Sequence, residues 1–245
     1  MKVFVTGVCG QLGHDCVNEI IGRGGDAVGS DIQPAYSGIA DGSAVTTAPY
    51  VQLDITNREA VGEIIAELKP DAIIHCAAWT NVDGAEDPEK KEIVHRINAV
   101  GTQNIADAAK AIDAKMLYLS TDYVFDGQGE RPWEPDDKCY APLNVYGQSK
   151  LDGEKAVSST LNKFFIVRIA WVFGLNCFLQ VLFGKSCKQK WRKLNLQNGE
   201  SCRHSQLTVT KGCGNWIPSR PALRLSRGLR VVSSPVPDFG IPRSS

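Results

Sequence analysis

The strongest constraint on the fold of this chain is a regular alternation of apolar and amphipathic segments over its first 175 residues. Lys2–Thr6 and Ala72–His75 are short, largely apolar runs, which are typical of strands buried on both faces of a parallel sheet. Segments such as Gln11–Arg23 and Glu89–Ala111 instead place apolar residues at helical spacing. Strands that alternate with helices predict right-handed crossovers and an α/β fold with a doubly wound parallel sheet.

The predicted strands and helices locate the expected site. The strands are Lys2–Thr6, Ala27–Ser30, Val51–Leu53, Ala72–His75, Met116–Leu119 and Phe164–Ile169, and the helices are Gln11–Arg23, Asn57–Leu68, Glu89–Ala111 and Tyr146–Val157. Ligands of such sheets bind beyond the carboxyl ends of the strands, where the strand order reverses. We therefore expect the residues that directly follow each strand to carry the chemistry.

A glycine-rich loop joins the first predicted strand to the first helix. Gly7 permits a tight turn, Gly10 lets the backbone approach a diphosphate, and Gly13 lets the helix pack close to the sheet. The helix then begins with Gln11 and Leu12, where free N–H groups favour a bound anion. In this strand–loop–helix context the pattern predicts a dinucleotide site, with a purely structural tight turn as the alternative.

Asp31 ends the second predicted strand. A carboxylate at this position can accept hydrogen bonds from the ribose hydroxyls of adenosine, which favours NADH over NADPH. The alternative is a surface carboxylate in a turn. The sequence otherwise leaves the choice between NADPH and NADH open.

A tyrosine and a lysine four residues apart, Tyr146 and Lys150, share one face of a predicted helix. The ammonium favours the phenolate, so we expect it to lower the pKa of Tyr146 towards the working range of a proton donor. Thr121, after the fifth strand, is expected to donate a hydrogen bond to a substrate carbonyl. Together with a nicotinamide cofactor that supplies the hydride, these groups predict a carbonyl–carbinol oxidoreductase. An ordinary amphipathic helix surface is the alternative for Tyr146 and Lys150.

Six motifs carry a resemblance to known proteins. They are VTGVCGQLG (5–13), AAWTNVD (77–83), INAVG (97–101), LSTDYVFDG (119–127), YGQSKLDGE (146–154) and RIAWVFG (168–174). On these motifs, residues 1–174 resemble the extended short-chain dehydrogenase/reductases, and among them the dTDP-4-dehydrorhamnose reductase family. The resemblance implies reduction of the C4 keto group of a dTDP-sugar, dTDP-4-dehydro-L-rhamnose, to dTDP-L-rhamnose by NADPH or NADH. Mg²⁺ supports some family members, but no ligands for it map onto this sequence.

The same resemblance assigns roles to individual residues. It makes Tyr146 the proton donor, Lys150 its electrostatic partner and a cofactor ligand, and Thr121 the ligand of the carbonyl. Besides the glycine loop and Asp31, it assigns four residues to the cofactor site: Asp54, Ile55, Ala77 and Ala78. Besides Thr121, it assigns three residues to the sugar pocket: Val82, Tyr123 and Trp171. Core packing is the alternative for Val82 and Trp171.

The last 70 residues differ from the rest in charge and pattern. The 27 Lys+Arg balance 27 Asp+Glu overall, yet residues 1–175 sum to −10 and residues 176–245 to +10. No helical or strand period continues past residue 175, and nothing from Asn176 onward matches the substrate domain of the family. We therefore predict an NAD(P)-binding Rossmann domain at 1–174 and an atypical basic tail at 175–245, disordered or of foreign or frame-altered sequence. Weak or absent turnover is the expected consequence.

Other functions and surroundings follow from the same features. The sequence contains no apolar run of about 18 residues, so no membrane span is predicted. The spacing of Cys, His, Asp and Glu predicts no metal site. Because no export signal is recognised, a cytoplasmic protein is expected. A homodimer is left open. One alternative function is a non-catalytic regulatory subunit that resembles the methionine adenosyltransferase beta subunit. Another is nucleic-acid binding by the basic run Lys185–Lys193, although we expect a solvated stretch and no nucleic-acid partner.

Overall fold

The structure, a computed structural model, describes residues 1–128, 133–134, 137–170 and 207–211. One seven-stranded sheet lies at its centre, in the order β3-β2-β1-β4-β5-β6-β7. The strands are β1 Lys2–Thr6, β2 Asp26–Asp31, β3 Tyr50–Gln52, β4 Ala72–His75, β5 Lys115–Thr121, β6 Phe164–Ile169 and β7 Leu207–Lys211. Strands β1 to β6 are parallel, and β7 pairs antiparallel with β6. The predicted doubly wound parallel sheet is confirmed.

Helices cover both faces of the sheet. They are α1 Gln11–Gly22, α2 Arg58–Leu68, α3 Val82–Ala85, α4 Lys91–His95, α5 Thr102–Ala111 and α6 Val145–Thr160, with single 3₁₀ turns at Ala44–Thr46 and Asp122–Val124. On one face, α1 packs against a cluster that includes Val3 and Val5 of β1. On the other, α2, α5 and α6 enclose a cluster that includes Phe4 and Tyr118. Alternate residues of one strand therefore enter different cores, as a sheet buried on both sides requires.

The helix predicted at Glu89–Ala111 is divided into three parts. Between α4 and α5, residues Arg96–Gly101 are π-helical. The side-chain amide of Asn98 forms hydrogen bonds with the backbone of Trp79. The main-chain carbonyl of Asn98 accepts a hydrogen bond of 2.7 Å from the Thr102 hydroxyl. A π-helical turn often marks a functional position because it re-aims side chains without ending the helix.

Two elements were absent from the prediction. Helix α3 is too short to show a hydrophobic period, and its local signal is the Asn81 side chain, which accepts a bond from the Gly84 N–H at 2.9 Å. Strand β7 lies in the predicted tail, where it uses the backbone groups at the edge of β6. The other residues of the tail lie outside the described residues, so the domain boundary at 174 stays a prediction.

A buried ion pair joins β6 to α6. Arg168 and Glu154 are only 2% and 4% exposed. The guanidinium donates from Nε to Oε1 at 2.8 Å and from Nη2 to Oε2 at 2.7 Å, which is a bidentate arrangement. Nη2 also donates to the Tyr140 hydroxyl at 2.9 Å, and the guanidinium lies 5.3 Å from the ring centre of Phe125. The pair therefore fixes the loop after β5 as well as the helix.

Replacing one member of this pair is expected to cost more stability than replacing both. Arg168→Met leaves the Glu154 carboxylate buried without its cation, so we expect the free energy of unfolding to fall by about 3–5 kcal/mol. The double variant Glu154→Met with Arg168→Met should recover much of this loss, because no uncompensated charge remains buried. Urea unfolding followed by circular dichroism measures both values. A double variant no more stable than Arg168→Met would contradict the expectation.

Candidate active site

The glycine loop is shaped by close approaches of the backbone. Gly7 adopts a left-handed conformation with φ +72°, and a Cβ at this position would lie 2.6 Å from the backbone nitrogen of Ala77. A Cβ at Gly13 would collide with the carbonyl oxygen of Gly7. The N–H of Gly10 closes the turn by donating to the same carbonyl at 3.1 Å. Both Gly7 and Gly13 are therefore required by space, as the dinucleotide pattern predicts.

Two buried polar atoms beside this loop fit a bound dinucleotide. Gln11 Nε2, at the first residue of α1, and Ser30 Oγ, in β2, are buried and have no hydrogen-bond partner in the described part of the chain. A buried polar atom without a partner costs about 1–3 kcal/mol. Phosphate and ribose oxygens would supply the missing partners at this helix N-terminus, with Leu12 half-buried beside it.

Of the carboxylates assigned to the cofactor, Asp31 touches the loop. Its side chain accepts bonds from the backbone N–H of Cys9 at 3.0 Å and of Ile32 at 2.8 Å. Asp54 is exposed and accepts from the N–H and hydroxyl of Thr56, at 2.9 and 2.8 Å. Ile55 is buried in the core beneath α5. The roles of Asp54 and Ile55 towards a cofactor stay predictions.

The predicted catalytic residues gather where β5 ends. Thr121 is the last residue of β5, and its buried hydroxyl donates to the Asp122 carboxylate at 3.2 Å. The rings of Tyr123 and Tyr146 meet edge to face, with centres 5.7 Å apart. Asn144 caps α6 by accepting from the Gly147 N–H at 2.7 Å, which fixes the first turn, where Tyr146 lies. Tyr123 is 41% exposed, so its ring borders open space above the site.

The pKa of Tyr146 is raised, so the prediction of a lowered pKa was wrong. Burial is the largest cause because it disfavours the phenolate, and a hydrogen bond with Thr121 opposes it only in part. The Lys150 ammonium is aimed elsewhere, since Nζ donates to the carbonyl oxygen of Leu119 at 2.6 Å. Four-residue spacing placed the two groups on one helix face, but it did not determine where the longer side chain points.

Lys150 lies in the protein interior. It is 3% exposed, and its Nζ lies 4.2 Å from the centre of the Tyr118 ring. Burial lowers the pKa of Lys150 to about 7, although the charges of Glu154 and Cys76 oppose this shift. The side chain therefore changes its charge near neutral pH.

A buried chain of hydrogen bonds connects the backbone after β4 to α5. The Ala77 N–H donates to the Thr6 hydroxyl at 3.2 Å, and that hydroxyl lies 2.8 Å from Nδ1 of His75. Nε2 of His75 lies 3.1 Å from the Thr102 hydroxyl, which donates to the Asn98 carbonyl. This order places the proton of His75 on Nε2.

Asn98 is the site residue that sequence reasoning missed. Its amide nitrogen donates to the Trp79 carbonyl at 3.1 Å and to the Ser149 hydroxyl at 2.9 Å, and its oxygen accepts from the Trp79 N–H at 2.8 Å. Ser149 in turn donates to the carbonyl of Tyr146 at 2.7 Å. Asn98 therefore holds the segment after β4 against the helix that carries Tyr146. The signal in the sequence that could have identified Asn98 is its polar side chain, at a position of the helix predicted at Glu89–Ala111 where an apolar residue is expected.

The remaining assigned residues are placed as follows. Ala77 and Ala78 are half-buried directly after β4, and Val82 is half-buried at the start of α3, which packs against α6. Trp171 and the basic run Lys185–Lys193 lie outside the described residues. Within the described ranges, no three His, Cys, Asp or Glu side chains are grouped to hold a metal ion. The helices described there include none that is long and apolar enough to cross a membrane.

Residues 1–196 match the family model described as RmlD substrate binding domain. This match extends past residue 174, the predicted end of the α/β domain. A dTDP-4-dehydrorhamnose reductase from Streptomyces griseus is 42% identical over 172 residues, which cover 70% of this chain and 50% of that protein.

Solved structures give the same likeness. A dTDP-4-dehydrorhamnose reductase from Clostridium acetobutylicum is 36% identical, with a TM-score of 0.63 and coverage of 74% of this chain and 57% of that chain. A dTDP-4-dehydrorhamnose reductase from Bacillus anthracis, in complex with NADP, has the same identity and coverage with a TM-score of 0.61. This chain spans about half the length of the curated relatives it matches.

The buried histidine makes a testable contribution to acid sensitivity. Burial, with a smaller effect of Lys150, lowers the pKa of His75 to about 3, against about 6.5 in an unfolded chain. Between these values the unfolded chain binds a proton that the folded chain does not, so stability falls as the pH falls. From pH 7 to pH 5 we expect this residue alone to remove about 2 kcal/mol.

His75→Gln should therefore be less stable than the unaltered chain at pH 7 but lose less stability on acidification. Urea unfolding at pH 7 and pH 5 measures the difference. His95→Gln, at an exposed histidine, is the matched control and should retain the original pH dependence. An unchanged pH dependence in His75→Gln would refute the assignment.

Proposed function

Because the chain belongs to the RmlD substrate-binding domain family, we propose that it reduces the C4 keto group of dTDP-4-dehydro-L-rhamnose to dTDP-L-rhamnose with NADH or NADPH. The observation that carries the proposal is the grouping of Thr121 and Tyr146 above a buried Lys150, at the sheet edge that also holds the glycine loop. The names of the relatives supply the substrate.

The residues of this chain can perform the proton chemistry of such a reduction. The reduced nicotinamide, when bound, supplies the hydride. Thr121 would turn its hydroxyl from Asp122 to the substrate carbonyl and orient it. Tyr146 holds its proton at neutral pH because its pKa is raised, and it would donate that proton to the oxygen as negative charge develops there. The Lys150 ammonium, one helical turn away, would turn from the Leu119 carbonyl to stabilise the phenolate that remains.

The charges near the glycine loop favour NADH as the partner. Asp31 is held at the loop by two backbone N–H groups, and residues 32–49 contain neither Lys nor Arg. A 2′-phosphate on the adenosine ribose would meet a carboxylate without a nearby cation from this segment. A neutral ribose hydroxyl can instead donate to the same carboxylate.

Three further points belong to the proposal. A regulatory, non-catalytic role is the alternative, and loss of turnover with preserved dinucleotide binding would favour it. A cytoplasmic location is proposed from the sequence alone, and a homodimer is left open. Cell fractionation and sedimentation velocity would test them.

Loss of the Tyr146 hydroxyl is expected to abolish most sugar reduction. Tyr146→Phe keeps the ring packed against Tyr123 but removes the proton donor, so kcat should fall by about 10²–10⁴-fold. The measurement is oxidation of NADH that depends on dTDP-4-dehydro-L-rhamnose. Tyr140→Phe, which removes a hydroxyl bonded to Arg168, is the matched control and should remain active. A measurable rate in the unaltered chain that Tyr146→Phe leaves unchanged would refute the proposed chemistry.

Asp31 is expected to determine the preference for NADH. The unaltered chain should bind NADPH at least about tenfold more weakly than NADH, and Asp31→Ser should reduce this ratio to near one. Nicotinamide fluorescence titration gives both dissociation constants. Asp26→Ser, at the exposed first residue of β2, is the control and should leave the ratio unchanged. Tighter binding of NADPH than of NADH by the unaltered chain would exclude this role for Asp31.

A further inference from the structure

Helix α1 holds the segment after β2 through a buried histidine. His14 is 2% exposed, and its Nδ1 lies 2.7 Å from the Tyr36 hydroxyl. Its Nε2 lies 3.0 Å from the amide nitrogen of Asn18 and 3.3 Å from the Asp41 carboxylate. Both ring nitrogens therefore have partners, although a buried histidine is not needed for packing an amphipathic helix.

Asn18 bonds the same segment at its other end. Its amide nitrogen donates to the Ser43 hydroxyl at 3.0 Å, and its oxygen accepts from the Val45 N–H at 2.8 Å. We name this arrangement the α1 clasp. It consists of His14 and Asn18 of α1 with Tyr36, Asp41 and Ser43 of the segment.

The donors and acceptors inside the clasp can be assigned from its hydrogen bonds. The Tyr36 hydroxyl donates to the Ile39 carbonyl at 3.2 Å, so the proton on Nδ1 of His14 points to the Tyr36 oxygen. Nε2 of His14 faces both the Asn18 amide nitrogen and the Asp41 carboxylate. Asp41 is itself fixed, because its Oδ1 accepts from the N–H and the hydroxyl of Ser43 at 3.0 and 2.5 Å.

The clasped segment lies against the glycine loop. The Ser37 N–H donates to the Cys9 sulfur at 3.4 Å, and a Cβ at Gly38 would come within 3.0 Å of the Cys9 Cα. Cys9 is also the residue whose N–H holds the Asp31 carboxylate at 3.0 Å. Residues 36–38 therefore border the position that Asp31 defines for the adenosine ribose.

We propose that His14 is a positioning residue for the adenosine half of the dinucleotide, acting through the segment that it clasps to α1. The inference rests on the proposed function, in which Asp31 binds the adenosine ribose. His14 is buried on the helix and acts through Tyr36 and Asp41. A segment that is already ordered removes an entropic cost from binding, so loss of the clasp should weaken ligands that contain adenosine.

Two ligands separate this role from a general structural one. NADH contains adenosine, whereas reduced nicotinamide mononucleotide contains only the nicotinamide half. His14→Phe preserves bulk but removes both ring contacts, and we expect it to weaken NADH binding by about tenfold. Binding of the mononucleotide should change by less than about twofold. Nicotinamide fluorescence titrations of the whole chain measure both affinities.

Matched variants keep the test independent of folding. Tyr36→Phe removes one hydroxyl from the clasp and should weaken NADH by about fivefold. His14→Gln, which retains a donor and an acceptor, should recover part of the affinity lost in His14→Phe. Ile65→Val, a buried change in α2 away from the segment, should lower thermal stability without changing either affinity.

The possible results are distinct. Selective loss of NADH affinity in His14→Phe and Tyr36→Phe supports the proposal. Unchanged or tighter NADH binding in Tyr36→Phe, or an equal loss for both ligands, overturns it while leaving dinucleotide binding intact. An unaltered chain that binds neither ligand overturns the proposed function together with this inference.

Discussion

The close approach of backbones at the glycine loop is the constraint on which the rest of the site depends. Because Gly7 and Gly13 lack a Cβ, the end of β1, the start of α1 and the residue after β4 come within van der Waals distance. The hydrogen bond from Ala77 to Thr6 forms at this junction, and His75 continues it into the core. A side chain at Gly7 would push the residues after β4 away from the loop, and one at Gly13 would push the start of α1 away from it. The proposed anion-binding groups and the proposed catalytic groups would then no longer face one space.

Burial, rather than proximity between charges, has the largest effect on the pKa values of Tyr146 and Lys150, the proposed catalytic groups. Tyr146 and Lys150 are both withdrawn from water, which favours the neutral form of each and raises one pKa while lowering the other. A neutral phenol is the form that can donate a proton, so desolvation serves the proposed reduction. The ammonium becomes useful chiefly when negative charge appears on the phenol. The preference of both groups for their neutral forms fits the proposed reaction, in which negative charge appears on the phenol only after the proton is donated.

The sequence predicted the sheet well because several parallel strands, such as β1 and β4, are short, largely apolar runs between helical periods. Tyr146, Lys150 and Thr121 were located for the same reason, since they follow strands or share a helix face. The direction of the Tyr146 shift could not be read from spacing, because it depends on where Lys150 points and on burial. The π-helical turn at Asn98 was not predicted because one added residue hardly changes the helical spacing of apolar residues. Strand β7 escaped because its pairing partner, β6, lies far away in the sequence.

The antiparallel pairing of β7 with β6 has a consequence for synthesis of the chain. Strand β6 ends at Ile169 and its partner begins at Leu207, so a long stretch must leave the ribosome before that sheet margin is covered. During this interval, the unpaired N–H and C=O groups of β6 are available to other nascent chains. Chaperone dependence in translation should therefore concentrate on this interval, well after β1 to β5 have emerged.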